Sequence, residues 1–170
     1  LYGIDVSGRY LYTANQGDTT ACSASANDGC ELQVWDISIP SRPVYIGGAD
    51  ADNAGNSDDD FFSIDVVGRY AYIQKGQDTG ACNSITRDGC EFQIYDISTP
   101  SAPEYIGGAD GAGTTTITGK SLHIQGKYAY IGKGGTSGTC SSSSRTGCEV
   151  MIFDIENPQY AQTKKSYGGV

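Results

Sequence analysis

The chain says nearly the same thing three times, and that repetition limits what it can fold into. Gly8-Arg9-Tyr10-Leu11-Tyr12 returns as Gly68-Arg69-Tyr70-Ala71-Tyr72 and as Gly126-Lys127-Tyr128-Ala129-Tyr130. Downstream, Cys30-Glu31-Leu32-Gln33-Val34-Trp35-Asp36-Ile37-Ser38 returns as Cys90-Glu91-Phe92-Gln93-Ile94-Tyr95-Asp96-Ile97-Ser98 and as Cys148-Glu149-Val150-Met151-Ile152-Phe153-Asp154-Ile155-Glu156. Units of this length are single supersecondary elements that stack on their neighbours because one alone cannot bury its core. The expectation is a repetitive surface rather than one unique catalytic pocket.

Each unit reads as four short strands. In the second, Phe62-Ser63-Ile64-Asp65-Val66 alternates apolar with polar residues, the period of a half-buried strand. Gly68 marks a tight turn, and Tyr70-Ala71-Tyr72-Ile73 follows. After a Gly/Ser/Thr-rich cysteine loop comes Phe92-Gln93-Ile94-Tyr95-Asp96-Ile97, then a two-proline turn at Pro100 and Pro103, then Glu104-Tyr105-Ile106-Gly107. Prolines cannot sit in a central ladder, so that turn separates two strands. The first unit uses Ile4/Val6, Tyr10/Tyr12, Leu32/Val34 and Tyr45/Ile46. The third uses Leu122/Ile124, Tyr128/Tyr130, Val150/Ile152 and Tyr167, whose Tyr167-Gly168-Gly169 echoes Tyr45-Ile46-Gly47-Gly48. No window carries a helical period. The predicted fold is all-β, three four-stranded antiparallel meanders over 1–60, 61–118 and 119–170. Such a meander is the blade of a β-propeller.

Val34-Trp35-Asp36-Ile37-Ser38-Ile39-Pro40-Ser41-Arg42-Pro43 and Ile94-Tyr95-Asp96-Ile97-Ser98-Thr99-Pro100-Ser101-Ala102-Pro103 resemble the LVIVD repeat, with the Gly-x-Tyr-Ala-Tyr element upstream. The resemblance implies propeller blades in bacterial or archaeal surface and secreted proteins, and it implies no catalytic residues. The chain departs from the pattern in its long cysteine loop and in Asn157-Pro158-Gln159-Tyr160-Ala161, which lacks the second proline.

The six cysteines fall in pairs at one place in every unit: Cys22/Cys30, Cys82/Cys90 and Cys140/Cys148. Repeat symmetry favours a bridge within each unit out of the 15 pairings available to six cysteines. The alternatives are a metal site, for which the spacing is wide and His123 is the only histidine, and free thiols in a reducing compartment. Bridges imply an oxidising location outside the cytosol.

A net charge of −9 repels phosphate backbones and anionic membrane surfaces, which argues against nucleic acid as a partner, and no stretch approaches the roughly 18 apolar residues that membrane insertion of a span needs. The chain opens on Leu1 inside a strand-like run, which fits a mature product or a piece of a longer protein.

The sharpest polar cluster runs from Asp50 to Asp60. Calcium prefers carboxylate and carbonyl oxygens, which makes Asp50, Asp52 and Asp58 candidate ligands. Ala54 stands where a calcium loop prefers Asp or Asn and Phe61 where it prefers Glu, and the alternative is a solvated acidic connector. Asp36, Asp96 and Asp154 share one phase, which points to backbone N–H acceptors in the following turn rather than a catalytic pair. His123 replaces Asp5 and Asp65 and has no nucleophile motif beside it. The tyrosines suit either inter-blade burial or a glycan platform.

Three blades leave two apolar faces open, since propellers use about 4–8. The expected function is a non-enzymatic extracellular or cell-surface scaffold without an obligate cofactor. It would be structural or adhesive, joined to copies of itself or to further repeats in a ring or fibre. A glycan-binding module, with or without calcium, is the alternative, and a propeller-type hydrolase or lyase ranks last.

Overall fold

The computed structural model describes residues 1–17, 20–23, 25, 27–51, 60–76, 81–83, 85–87, 89–111, 118–134, 140, 147–160 and 162–167. They form three four-stranded antiparallel sheets, each a simple meander. Sheet 1 is β1 (Gly3–Ser7), β2 (Tyr10–Ala14), β3 (Leu32–Asp36) and β4 (Val44–Ala49). Sheet 2 is β5 (Phe61–Val67), β6 (Tyr70–Lys75), β7 (Phe92–Asp96) and β8 (Glu104–Ala109). Sheet 3 is β9 (Thr118–Gln125), β10 (Tyr128–Gly134), β11 (Val150–Asp154) and β12 (Gln162–Tyr167). Among the described residues the only helical element is a 3-10 turn, Pro158–Tyr160.

The repeated local signals make these elements. Gly8, Gly68 and Gly126 have φ of 61°, 64° and 60°, the left-handed turn that joins the first two strands of each sheet. After the third strand the Asp carboxylate does what its phase implies. Asp36 Oδ1 accepts from Ser38 N at 2.8 Å, Asp96 Oδ1 from Ser98 N at 2.8 Å, and Asp154 Oδ1 from Glu156 N at 2.9 Å. A cation two residues into each sheet's second-strand hairpin reaches the same turn. Arg9 pairs with Asp36 at 2.8 Å, Arg69 pairs with Asp96, and Lys127 pairs with Glu156 at 3.4 Å.

The sheets stack face to face, with sheet 2 in the middle. One face of sheet 1, carrying Tyr12, Ala14, Leu32 and Val34, packs on Phe61, Ile64, Ala71, Ile73, Tyr95 and Ile97 of the second unit. The opposite face of sheet 2, with Tyr72, Phe92 and Ile94, packs on Ile124, Ala129, Ile131, Met151, Phe153 and Ile155 of the third. Phe92 stacks on Phe153 with centroids 5.0 Å apart. Tyr12 and Tyr72 are therefore core side chains, whereas Tyr10, Tyr70 and Tyr128 are half-buried under Arg9, Arg69 and Lys127 at 5.1, 5.4 and 5.7 Å from the ring centroids.

The last strand contains Tyr167 as the sequence predicts, but in a different register from its counterparts. Val34 pairs with Gly47 and Ile94 with Gly107, but Ile152 pairs with Lys165. The Tyr45 and Tyr105 positions, opposite Trp35 and Tyr95, are taken by Thr163 opposite Phe153, so Tyr167 stands at the level of Ala49. Tyr167 is thus out of register with Tyr45 and Tyr105, and Gly168 and Gly169 lie outside the described residues. The physical reason is that Pro158 keeps the turn spacing of Pro40 and Pro100, which fixes the strand before any Gly-Gly is reached.

Gly47 accepts the backbone of the next unit. A Cβ there would lie 2.2 Å from Ser101 O and 2.8 Å from Ser101 Cα, whereas one on Gly8 would meet nothing within 4 Å. Gly47→Ala is expected to destabilise by about 1–3 kcal/mol through overpacking. Gly8→Ala pays only the left-handed backbone term, roughly 1 kcal/mol. Urea denaturation of both variants checks the ranking; equal losses would remove the close approach as the cause.

Candidate functional site

The joints between sheets hold most of the polar chemistry. β1, β5 and β9 are edge strands, so their outward N–H groups have no ladder partner. Asp5 Oδ2 accepts from Val66 N at 2.6 Å, and Asp65 Oδ2 accepts from Ile124 N at 2.6 Å. One carboxylate thus clasps the first strand of the next unit at both joints. At the same phase in the third unit stands His123, its side chain 74% exposed and its Nδ1 3.4 Å from Asp65 Oδ2.

The turn after β7 lies on Gly47, and the 3-10 turn lies on Gly107, where a Cβ would sit 2.7 Å from Pro158 O. Between these contacts the linker backbone is held from both sides. Glu31 Oε2 accepts from Ala51 N at 2.9 Å and Glu91 Oε2 from Gly111 N at 2.6 Å. From the following sheet, Gln93 Nε2 donates to Ala51 O at 2.9 Å and Lys133 Nζ to Gly111 O at 3.3 Å.

The cysteine loops are pinned at the rim of the sheets. Cys22–Cys30, Cys82–Cys90 and Cys140–Cys148 are bridged, with Cα atoms 4.4, 4.3 and 4.4 Å apart. Cys30, Cys90 and Cys148 are buried beside the third strands. The first loop is tied on by Tyr45 Oη donating to Ser23 O at 3.0 Å and Gln33 Nε2 donating to Asn27 O at 2.8 Å.

A groove of about 620 Å³ opens where the first two units meet, lined by Asp50, Ile85, Arg87, Ser101, Glu104 and Tyr105 among others. Arg87 holds a left-handed backbone, φ 68°, the sole non-glycine residue to do so among those described. Its Nη1 donates to Asp50 O at 2.7 Å, and its guanidinium lies 5.5 Å from the Tyr105 ring centroid. Tyr95 Oη lies 2.8 Å from both Asp50 O and Gln93 Oε1. Burial pushes the Tyr95 phenol up, and pushes Tyr105 up to about 12 against the opposing pull of Arg87.

Of the calcium candidates, Asp52 and Asp58 lie outside the described residues. Asp50 is turned to structural use: its Oδ1 accepts from Cys22 N at 2.7 Å, which ties the first cysteine loop to the linker. Among the described residues no three His, Cys, Asp or Glu side chains converge as metal ligands. No helix among them is long and apolar enough to cross a membrane.

Sequence reasoning missed the joint residues Asp5, Asp65, Gly47, Gly107, Glu31 and Glu91, and it missed Arg87. The signal for the first pair was present, as a polar residue recurring in the middle of an alternating first strand.

Two outward faces remain. Ile4 and Val6 are 61% and 53% exposed, whereas Ile64 and Ile124 at the same phases of later units are 6% and 7% exposed. Trp35 and Ile37 are half-buried where Tyr95, Ile97, Phe153 and Ile155 are buried. At the far side Val150 is 41% exposed, against none for Leu32 and Phe92. The sheets do not close on themselves. They define a tandem-repeat all-β protein with uncovered ends. The family model for the LVIVD repeat matches residues 118–136, which contain all of β9 and β10. That match supports the resemblance carried by all three units. No curated protein matches the chain significantly.

Two expectations follow from this geometry. Non-reducing peptide mapping should find each cysteine pair within one fragment. Each closed ring is worth about 2.5 kcal/mol in the chain-entropy account, so reduction should lower the urea midpoint; free thiols in the native protein would contradict it. Tyr105 is held neutral when folded, so its contribution is present below its ordinary value of 10 and is lost as pH rises through about 12. Tyr105→Phe should flatten the fall of stability between those values; an unchanged alkaline slope would show that Tyr105 does not contribute.

Proposed function

We propose that the chain is a non-enzymatic scaffold of propeller-type blades that works outside the cytosol and is completed by further blades of its own kind. The observation that carries this is the uncovered face of the first sheet. Its Ile4 and Val6 are exposed, while at the same phases of the second and third units Ile64 and Ile124 are buried and Val66 and Leu122 half-buried against the sheet before them. Joined apolar exposure of this kind exceeds scattered surface hydrophobes and marks a contact surface. A blade that repeats the internal joint is the partner whose shape the chain already matches twice. Three bridges support an oxidising compartment.

The groove beside Arg87 favours a second reading, glycan binding. The Arg87 guanidinium over the Tyr105 ring, with Ser101 and Glu104 at the rim of the groove, offers sugar hydroxyls a cluster of hydrogen-bonding groups. A glycan array separates the two: binding lost in Arg87→Ala would favour the lectin reading.

Binding of an apolar fluorescent dye to the exposed face tests the scaffold. The chain should bind the dye, and Ile4→Asp/Val6→Asp should abolish that binding without lowering the melting midpoint, because those side chains belong to no internal core. No dye binding, or a midpoint lowered as by a core substitution, would contradict the reading.

A further inference from the structure

Both internal joints are built from the same two devices, and they run in one direction along the chain. The earlier unit supplies a carboxylate, Asp5 or Asp65, to the outward N–H of the later unit's first strand. It also supplies a bare backbone, Gly47 or Gly107, on which the later unit's turn rests. The later unit supplies the N–H group, the turn and the apolar face of its first strand.

The first unit still has everything that a later unit needs. Val6 stands at the phase of Val66 and Ile124, and its N–H is taken only by its own neighbour Asp5 Oδ1 at 2.7 Å. Pro40, Ser41 and the apolar pair Ile4 and Val6 are exposed, at the phases of Pro100, Ser101, Ile64 and Val66. The third unit has lost both donating devices. His123 replaces the carboxylate, and Lys165 occupies the register position of Gly47 and Gly107. His123 carries no carboxylate for a following strand, and its Nδ1 lies 3.4 Å from Asp65 Oδ2 of the preceding unit; any Cβ at the glycine position would meet an incoming turn, as one on Gly47 or Gly107 would.

We propose that the joint is directional. The open face of the first sheet receives a blade of the same repeat class that carries a first-strand Asp and a fourth-strand Gly, whereas the far face of the third sheet is a closing face that does not receive one. The occupant is thus a blade like the second unit and not the third unit of a second copy, whose His123 and Lys165 break both contacts. This rests on the scaffold reading above and adds an end, an order and a chemistry to it.

The test adds one blade to the intact chain. A second copy of residues 61–117 is placed ahead of Leu1, or the same blade is placed after Val170 through a second copy of 110–117. The blade ahead of Leu1 should raise the melting midpoint of the three original sheets by at least about 5 °C and slow exchange of the Val6 amide. Asp65→Asn in the added copy should return Val6 exchange to its original rate. The blade after Val170 should leave the original midpoint unchanged until His123→Asp and Lys165→Gly are introduced together. Equal stabilisation from both ends would overturn the direction while leaving the scaffold reading standing. No stabilisation at either end would overturn both.

Discussion

A sheet with apolar side chains on both faces has to be covered twice, and that requirement organises this molecule. Only the second sheet meets it. Ile64, Ala71, Ile73 and Tyr95 are buried against the first sheet, and Tyr72, Phe92 and Ile94 against the third. Burying side chains such as these contributes about 1.5–3 kcal/mol each relative to exposure. The local devices, hairpin glycines, Asp-capped turns and pinned loops, set each meander. None of them supplies a second cover for a terminal sheet.

Stacking also brings polar backbone together, and the joints show how it is satisfied. Edge strands from neighbouring units approach closely enough that a Cβ on Gly3 would lie 3.1 Å from Ser63 Cα. At that separation an outward N–H loses water and needs a partner, and Asp5 and Asp65 provide it. The linker at Ala51 and Gly111 is treated likewise, with its N–H held by a glutamate of one sheet and its C=O by Gln93 or Lys133 of the next.

Much of this was legible in the residues. The period and the alternation gave four strands per unit, and the phase of Asp36, Asp96 and Asp154 gave their turn role. The same symmetry pointed to the Cys22–Cys30, Cys82–Cys90 and Cys140–Cys148 pairs. What failed did so for a physical reason. Tyr167-Gly168-Gly169 looked like Tyr45-Ile46-Gly47, but strand register is set by ladder pairing from the preceding turn, and that put Lys165 at the glycine position. The role of Asp5 and Asp65 was hidden because it lies across a joint some 60 residues away in sequence. The replacement of that aspartate by His123 was visible as a substitution and gained a meaning only once the clasp was seen. The groove beside Arg87 combines residues from two units, and no local pattern announces it.

Native-state hydrogen exchange of the unaltered chain tests the central claim, that coverage by neighbouring sheets governs order along the stack. Amides of β6 and β7, in the doubly covered sheet, should be the slowest to exchange. The edge amides of Val66 and Ile124, each taken by a carboxylate of the preceding unit, should exchange far more slowly than that of Val6. Uniform protection across the three sheets, or a Val6 amide as slow as those of Val66 and Ile124, would contradict the account.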